Sequence, residues 1–271
     1  MPNVLSLLFI LVATIFPVAQ SSPQKPVSVE LESLTWVEAE KVLKTHEVVL
    51  VALGARTKEH GPHLLLKNDY ILAEYYKERV AREVPVIILP TLEYGYYPSF
   101  LEYPGSVSIG AETFKAMVMD ICRSMSRYGP QKFYVLNTGI STVGPLKAAA
   151  EELNTAGLIL RYLNLSDVDK KLPAGLLSEE GGTHADEAET SEMLYIAPET
   201  VDMSKAVKDY DPRPNRKGLT RDPKGPGVYS PTGIWGDPTL ATKEKGRIIV
   251  ETTVKEIVAQ VNELIRLKIE K

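Results

Sequence analysis

The chain holds four histidines, and three of them stand in polar, glycine-flanked segments: His60 and His63 in "TKEHGPHLLLKND" and His184 in "GGTHADEAETSE". Imidazole and carboxylate are ordinary protein ligands of zinc, manganese and iron. His60 with Asp69 suits a small divalent cation, and His184 with Glu189 forms a second pair of the same type. Either pair taken singly reads equally well as a solvated loop or a helix cap. Together they place most of the chain's histidine in two acid-containing clusters, which makes a candidate metal site.

These residues need elements to position them. "EVVLVALG" (47–54) is a continuous apolar run closed by glycine, the pattern of a buried parallel strand. "DYILAEYYKERVAREV" (69–84) is amphipathic, with Asp69 in the first turn, where a carboxylate is favoured. The alternation continues with a strand at 85–92, a helix at 111–129, a strand at 132–137, a helix at 143–157 and a strand at 158–165. A helix at 34–46, with Thr35 as its N-cap, precedes the series. Further helices follow from the acidic turn at 176–201 and at 246–269. Such alternation predicts an α/β fold: a three-layer sandwich with a mainly parallel central sheet and helices on both faces. Ligands of parallel sheets bind at the carboxyl ends of the strands. The segments after Gly54, Leu92 and Asn137 therefore converge on one rim. The stretch 210–246 is dense in Pro, Gly and charge, and is long for a connection without a role.

Composition sets the remaining bounds. The 271 residues are 44% hydrophobic and 24% charged, enough for one large domain, here taken as 28–271. A net charge of −4 gives no basic face for nucleic acid. The amino-terminal segment carries no charged side chain before Lys25 and has an apolar run from Val4 to Ala19. That run is short for a bilayer span. It reads as a signal peptide over 1–21, cut after Ser21, with an uncleaved anchor as the alternative. Cys122 is the single cysteine, so no intrachain disulfide forms. The expected product is exported, periplasmic or secreted, with no stable membrane span after cleavage.

Four ordered segments resemble the creatininase (creatinine amidohydrolase-like) family. "KEHGPHLLLKND" is similar to that family's Glu-x-His-Gly-Pro-His-Leu-Pro-Leu-x-x-Asp segment. "YGYYPSFLEYPGSVSI" resembles its second loop, "THADEAETSEM" its His-Ala-Gly-x-x-Glu-Thr-Ser segment, and "GIWGDPTLATKEKG" its Gly-Asp-Pro-x-x-Ala segment. The resemblance implies an α/β fold, frequent homo-oligomers (hexamers among them) and metal-dependent hydrolysis of amide-type C–N bonds. It also implies that His60, Asp69 and Glu189 are metal ligands.

Two departures accompany the match. Lys58 stands where the family has its first glutamate. "NTGISTV" stands where the family has Asn-Gly-His-Gly-Gly-Asn, so Gly139 or Ile140 replaces a ligand histidine. Both losses fall on one of the two metals that family members bind through a shared aspartate. The expectation is one divalent metal, zinc, with manganese or iron as alternatives, held by three protein ligands and a water.

Lys58 then has two readings. Its ammonium lies beside Asp69 and orients substrate or stabilises an oxyanion, or it points to solvent and pairs with Glu59. In an extended segment residues 58 and 60 share a side and Glu59 faces away, so Glu59 acts as a ligand or base only if the loop bends. His184 is a candidate general acid or base beside a metal-activated water; the alternative is orientation of the Glu189 helix start. Tyr94, Tyr96 and Trp235, with Tyr97 and Tyr103, are candidates to line a pocket for a small flat amide. The rival to an amidohydrolase is a non-catalytic small-molecule-binding or structural oligomeric protein that keeps the fold without metal.

Overall fold

The computed structural model describes residues 27–179, 181–209 and 218–269. The expected signal segment and part of the Pro/Gly-rich stretch lie outside the described residues. In chain order the elements are β1 (Val29–Glu30), α1 (Trp36–Val42), β2 (Val48–Leu53), α2 (Asn68–Ala81), β3 (Ile87–Leu92), α3 (Ala111–Ser126), β4 (Lys132–Asn137), α4 (Val143–Thr155), β5 (Ile159–Tyr162), α5 (Leu165–Asp169), α6 (Glu187–Ile196), β6 (Leu219–Thr220), β7 (Val228–Tyr229) and α7 (Lys243–Arg266).

Five strands form one sheet in the order β1-β3-β2-β4-β5, and every neighbouring pair is parallel. β2 and β4 are buried at every residue, as expected of strands covered on both faces. Alternate side chains supply two cores. Val49, Val51, Leu53, Phe133 and Val135 pack against Phe114, Val118 and Cys122 of α3 and Leu146 and Leu153 of α4. Val48, Leu50, Tyr134 and Leu136 pack against Leu72, Tyr76 and Val80 of α2 and Val250, Val254, Ile257 and Val261 of α7. Both layers expected from the sequence are present.

Local signals account for the helix ends. Thr35 and Glu38 form a capping box on α1, which closes two otherwise unpaired backbone N–H groups. Asp186 caps α6 and Thr242 caps α7 through their side-chain oxygens. Gly246 lets α7 lie directly on α6, since a Cβ there would stand 1.8 Å from the Ser191 carbonyl oxygen.

Three expectations are corrected. The first helix ends at Val42 instead of 46, because Lys44, Thr45 and His46 turn back on Lys41 and Val42 carbonyls. The last strand stops at Tyr162, and Leu165 opens the short α5, which the strand reading absorbed. Part of the 210–246 stretch is structured: β6 and β7 pair in parallel, and Leu219 and Val228 pack on Tyr97, Phe100 and Tyr103.

The strand order places the ligand rim. From β2 the chain steps to β3 on one side, and the next strand, β4, lies on the other side of β2. The carboxyl ends of β2 and β4 therefore flank the point where the winding reverses, where open α/β sheets open a crevice. No described helix is long and apolar enough to cross a membrane.

Candidate active site

β2 ends at Leu53, and Gly54 lets the start of α2 cross very close to it. A Cβ on Gly54 would stand 2.3 Å from the Asp69 carbonyl oxygen. This contact holds Asp69, fully buried, over the end of the central strand. The loop between them returns on itself through Lys58 N–H donating to the Leu66 carbonyl, and Gly61 takes the left-handed conformation, φ +67, that the bend requires.

Within this loop Lys58 and His60 share a side, as the extended-chain argument expects. Lys58 Nζ lies 2.7 Å from Asp69 Oδ2 with both side chains buried, close enough for charge pairing though off the angle of a good hydrogen bond. The solvent-directed reading of Lys58 is thereby excluded. Its ammonium also sits 4.9 Å from the Phe100 ring centroid and 5.4 Å from that of Tyr97, where a cation is favoured by the ring quadrupole. Burial alone would lower the Lys58 pKa, but the negative charges of Asp69, Glu189 and Glu59 raise it, so Lys58 stays charged. Burial would raise the Asp69 carboxyl; Lys58 and His60 instead hold it well below the usual carboxylate range.

His60 is pinned at both ring nitrogens. Nδ1 lies 2.9 Å from the Lys58 carbonyl oxygen and Nε2 lies 2.8 Å from Asp69 Oδ1. A carbonyl only accepts, so Nδ1 donates and Nε2 is the nitrogen turned to the acidic side. Asp69 is thus engaged on one oxygen by Lys58 and on the other by His60.

Glu59 departs from expectation. It points away from Lys58 and His60, yet the bend at Gly61 keeps it inside the protein. Its carboxylate accepts from the Gly61 N–H and meets His184, whose Nε2 is 3.1 Å from Glu59 Oε2 and 2.9 Å from the Glu59 carbonyl oxygen. Burial would raise the Glu59 pKa; His184 and the Gly61 N–H bring it below its ordinary value.

His184 is delivered from the other side of the rim. Its backbone pairs with Trp235, and its ring lies 4.3 Å from Phe100 and 4.9 Å from His60, centroid to centroid. The next residue, Ala185, has φ +49, a left-handed conformation that costs a non-glycine residue roughly 1–2 kcal/mol. That turn aims the Ala185 N–H at Glu189 Oε2, 2.6 Å away, and brings the same oxygen to 3.6 Å from His184 Nδ1. One donor atom each from His60, His184 and Glu189 lie within 4.8 Å of one another.

The expected ligands His60, Asp69 and Glu189 lie together here, with His184 added to them. Asp69 Oδ1 lies beside His60 Nε2, the nitrogen left for a cation, while Asp69 Oδ2 is paired with Lys58, and His184 lies beside Glu189. The arrangement fits a small divalent cation because two imidazoles and a carboxylate converge there. His63, the remaining rim histidine, is hydrogen-bonded to Thr190. Burial pushes its pKa down to about 4, so it is neutral and supports α6.

A cleft of about 40 Å³ opens on these groups, lined by Lys58, His184, Glu189, Tyr97, Phe100 and the 138–141 segment, with room for a few waters. Larger hollows exist, including one of about 690 Å³ around Leu43, His46 and Lys132, but that one lies at the amino ends of the strands. Among the expected aromatics, Tyr97 lines the cleft. Tyr94 is half exposed and Tyr96 packs on the α3 side of the sheet. Trp235 packs behind the Tyr97 and Phe100 cluster and holds the His184 backbone. Tyr94, Tyr96 and Trp235 therefore do not form the wall assigned to them. Phe100, Ser141 and Leu165 also line the cleft; apolar and hydroxyl residues in loops carry no spacing signal in the sequence.

A parallel α/β sheet with histidines and carboxylates gathered at its switch point is an α/β protein with a candidate metal site in its crevice. The family model of creatinine amidohydrolase matches residues 32–261, and the chain belongs to the creatininase family. It is 27% identical over 258 residues to the creatinine amidohydrolase of Pseudomonas putida, covering 87% of this chain and 97% of that protein. It is 28% identical over 224 residues to a mycofactocin precursor peptide peptidase of Mycobacterium ulcerans, covering 79% and 84%. A solved creatininase of zinc–zinc type superposes with a TM-score of 0.71 at 27% identity, covering 89% of this chain and 99% of that one. Other similar structures are a manganese creatininase and a creatininase variant complexed with creatine. The relatives are hydrolases, and two of the similar structures are named with manganese and with zinc.

Proposed function

We propose that this protein is an amidohydrolase of small amide-type C–N bonds that works with one divalent cation, the Lys58 ammonium occupying the neighbourhood where relatives place a second. The observation that carries this reading is the buried Lys58–Asp69 pair, 2.7 Å apart, next to a converging His60, His184 and Glu189. His60, through Nε2, and Glu189 would hold the cation, with Asp69 Oδ1 beside that nitrogen and the Lys58 carbonyl orienting the His60 ring from behind. A cation there supplies Lewis acidity toward an amide carbonyl and brings a water's pKa toward neutrality. Lys58 presents a fixed positive charge at the cleft, where charge on a carbonyl oxygen is stabilised as the C–N bond is attacked. Tyr97 and Phe100 provide a flat apolar wall and exclude water from the Lys58 side.

Zinc is the first candidate and manganese the second, on the ligand types and on the metals of similar structures. Export by an amino-terminal signal and assembly into a homo-oligomer belong to the same reading; the mass of the mature chain and its size in solution test them. The metal reading is tested by metal content after reconstitution, with His60→Ala as control. One equivalent per chain, lost in His60→Ala, and turnover of an amide panel that is lost in Glu189→Ala are expected.

A second reading has its own observation: Lys58 pairs with Asp69 and His60 contacts it without any cation. A protein that binds small molecules without metal would retain that network. Metal content far below one equivalent after reconstitution would favour it.

A further inference from the structure

His184 has one ring nitrogen whose role is forced. Nε2 faces only acceptors, the Glu59 carbonyl oxygen at 2.9 Å and Glu59 Oε2 at 3.1 Å, so Nε2 carries the hydrogen. In the neutral ring Nδ1 is then a bare lone pair, and it lies 3.6 Å from Glu189 Oε2. The exchangeable hydrogen of His184 is thus turned away from the cleft, against a buried carboxylate. A proton carrier for the reaction needs the opposite arrangement.

Glu59 is held to this task by its surroundings. Its backbone N–H donates to Ser106 Oγ at 2.9 Å, and its carboxylate accepts from Gly61 N–H. Gly233 opposes it with φ +86, and a Cβ there would stand 2.1 Å from Glu59 Oε1. Only glycine both adopts that conformation and leaves room for the carboxylate. His60 Nδ1 likewise donates to the Lys58 carbonyl, while its Nε2 meets Asp69 Oδ1 at 2.8 Å. A histidine whose outer N–H is tied to a carboxylate or carbonyl is the usual form of a metal ligand, because the tie fixes tautomer and ring angle.

We infer that Glu59 is a positioning residue that fixes His184 with its hydrogen on Nε2, and that His184 Nδ1 is a further ligand of the single cation held by His60 and Glu189. The inference rests on the single-cation reading above. It adds His184 to His60 and Glu189 as a ligand, with Asp69 Oδ2 held by Lys58 and Asp69 Oδ1 beside His60 Nε2.

The test uses the full chain loaded with one equivalent of Cu²⁺ and pulsed EPR, which counts coordinated imidazoles. Two are expected in the wild type and one in His184→Ala. ¹⁵N NMR of the metal-free protein should show His184 as the Nε2–H tautomer, retained in Glu59→Gln, which keeps an acceptor, and mixed in Glu59→Ala. Zinc affinity, measured by chelator competition, should fall about 10- to 100-fold in Glu59→Ala, with a smaller loss in Glu59→Gln. A single imidazole in the metal-loaded wild type overturns the inference and leaves the single-cation reading standing. Two imidazoles unchanged by His184→Ala also overturn it. Absence of cation binding in the wild type overturns the reading itself. The wild-type imidazole count needs no variant to fold.

Discussion

Replacing Lys58 by Met gives the sharpest test of the buried charge pair. Methionine fills a similar volume and contacts aromatic rings favourably, so the change removes mainly the charge. At 2.7 Å the direct attraction is about 6 kcal/mol with an effective dielectric constant near 20, and most of it is offset by desolvation of both groups. Removing one member of a buried pair costs about 3–5 kcal/mol, because the other charge is stranded. His60 remains 2.8 Å from Asp69 Oδ1, which places the expected loss at the lower end, about 3 kcal/mol. Urea unfolding in EDTA, followed by circular dichroism, isolates this from metal binding. Adding Asp69→Asn should restore roughly 2 kcal/mol relative to Lys58→Met alone, a coupling typical of groups in one network. A loss below about 1 kcal/mol in Lys58→Met, or no recovery in the double variant, would refute the claim that Asp69 depends on Lys58.

Three further outcomes are expected. Glu192 is buried, and burial pushes its carboxyl pKa up to about 8, with Tyr76 donating to it at 2.6 Å. Its unfolded value is lower, so its contribution to stability is fully present below about pH 4 and is lost as pH rises toward 8, by at most about 1.4 kcal/mol per pH unit. Glu192→Gln should remove that slope when unfolding free energies are compared at pH 5 and 8, and parallel slopes would falsify the assignment. Lys58→Glu combined with Ile140→His returns a carboxylate and an imidazole to the two altered positions, and metal analysis should rise above one equivalent; an unchanged count speaks against a displaced second cation. Ala185→Gly relieves the left-handed strain at φ +49 and should raise stability by about 0.5–1 kcal/mol, read as an increase in Tm; a decrease would place the Ala185 methyl among the needed contacts.

Much of this protein is legible along the chain. The buried runs of β2 and β4 and the amphipathic helices between strands carry their periodicity in sequence, and the Thr35–Glu38 cap is local. The common side of Lys58 and His60 follows from the alternation of an extended chain. Lys58 in a segment that otherwise resembles a metal motif is itself visible as an altered site. The aromatic wall was only half readable, because Tyr94, Tyr96 and Tyr97 are one residue type in one loop, and which of them turns inward depends on what packs behind them.

Sequence alone determined the fold class, the convergence of three loops on one rim, and the presence of histidine and carboxylate there, since these depend on local periodicity and residue type. Only the tertiary structure decided how those groups divide their partners. Asp69 is taken by Lys58 and His60 because Gly54 brings α2 against the end of β2. Glu59 turns inward to His184 because Gly61 bends the loop and Gly233, more than a hundred residues away, leaves it space. A buried charge takes the partner it can reach at hydrogen-bonding distance, and that distance is set by the packing of distant segments.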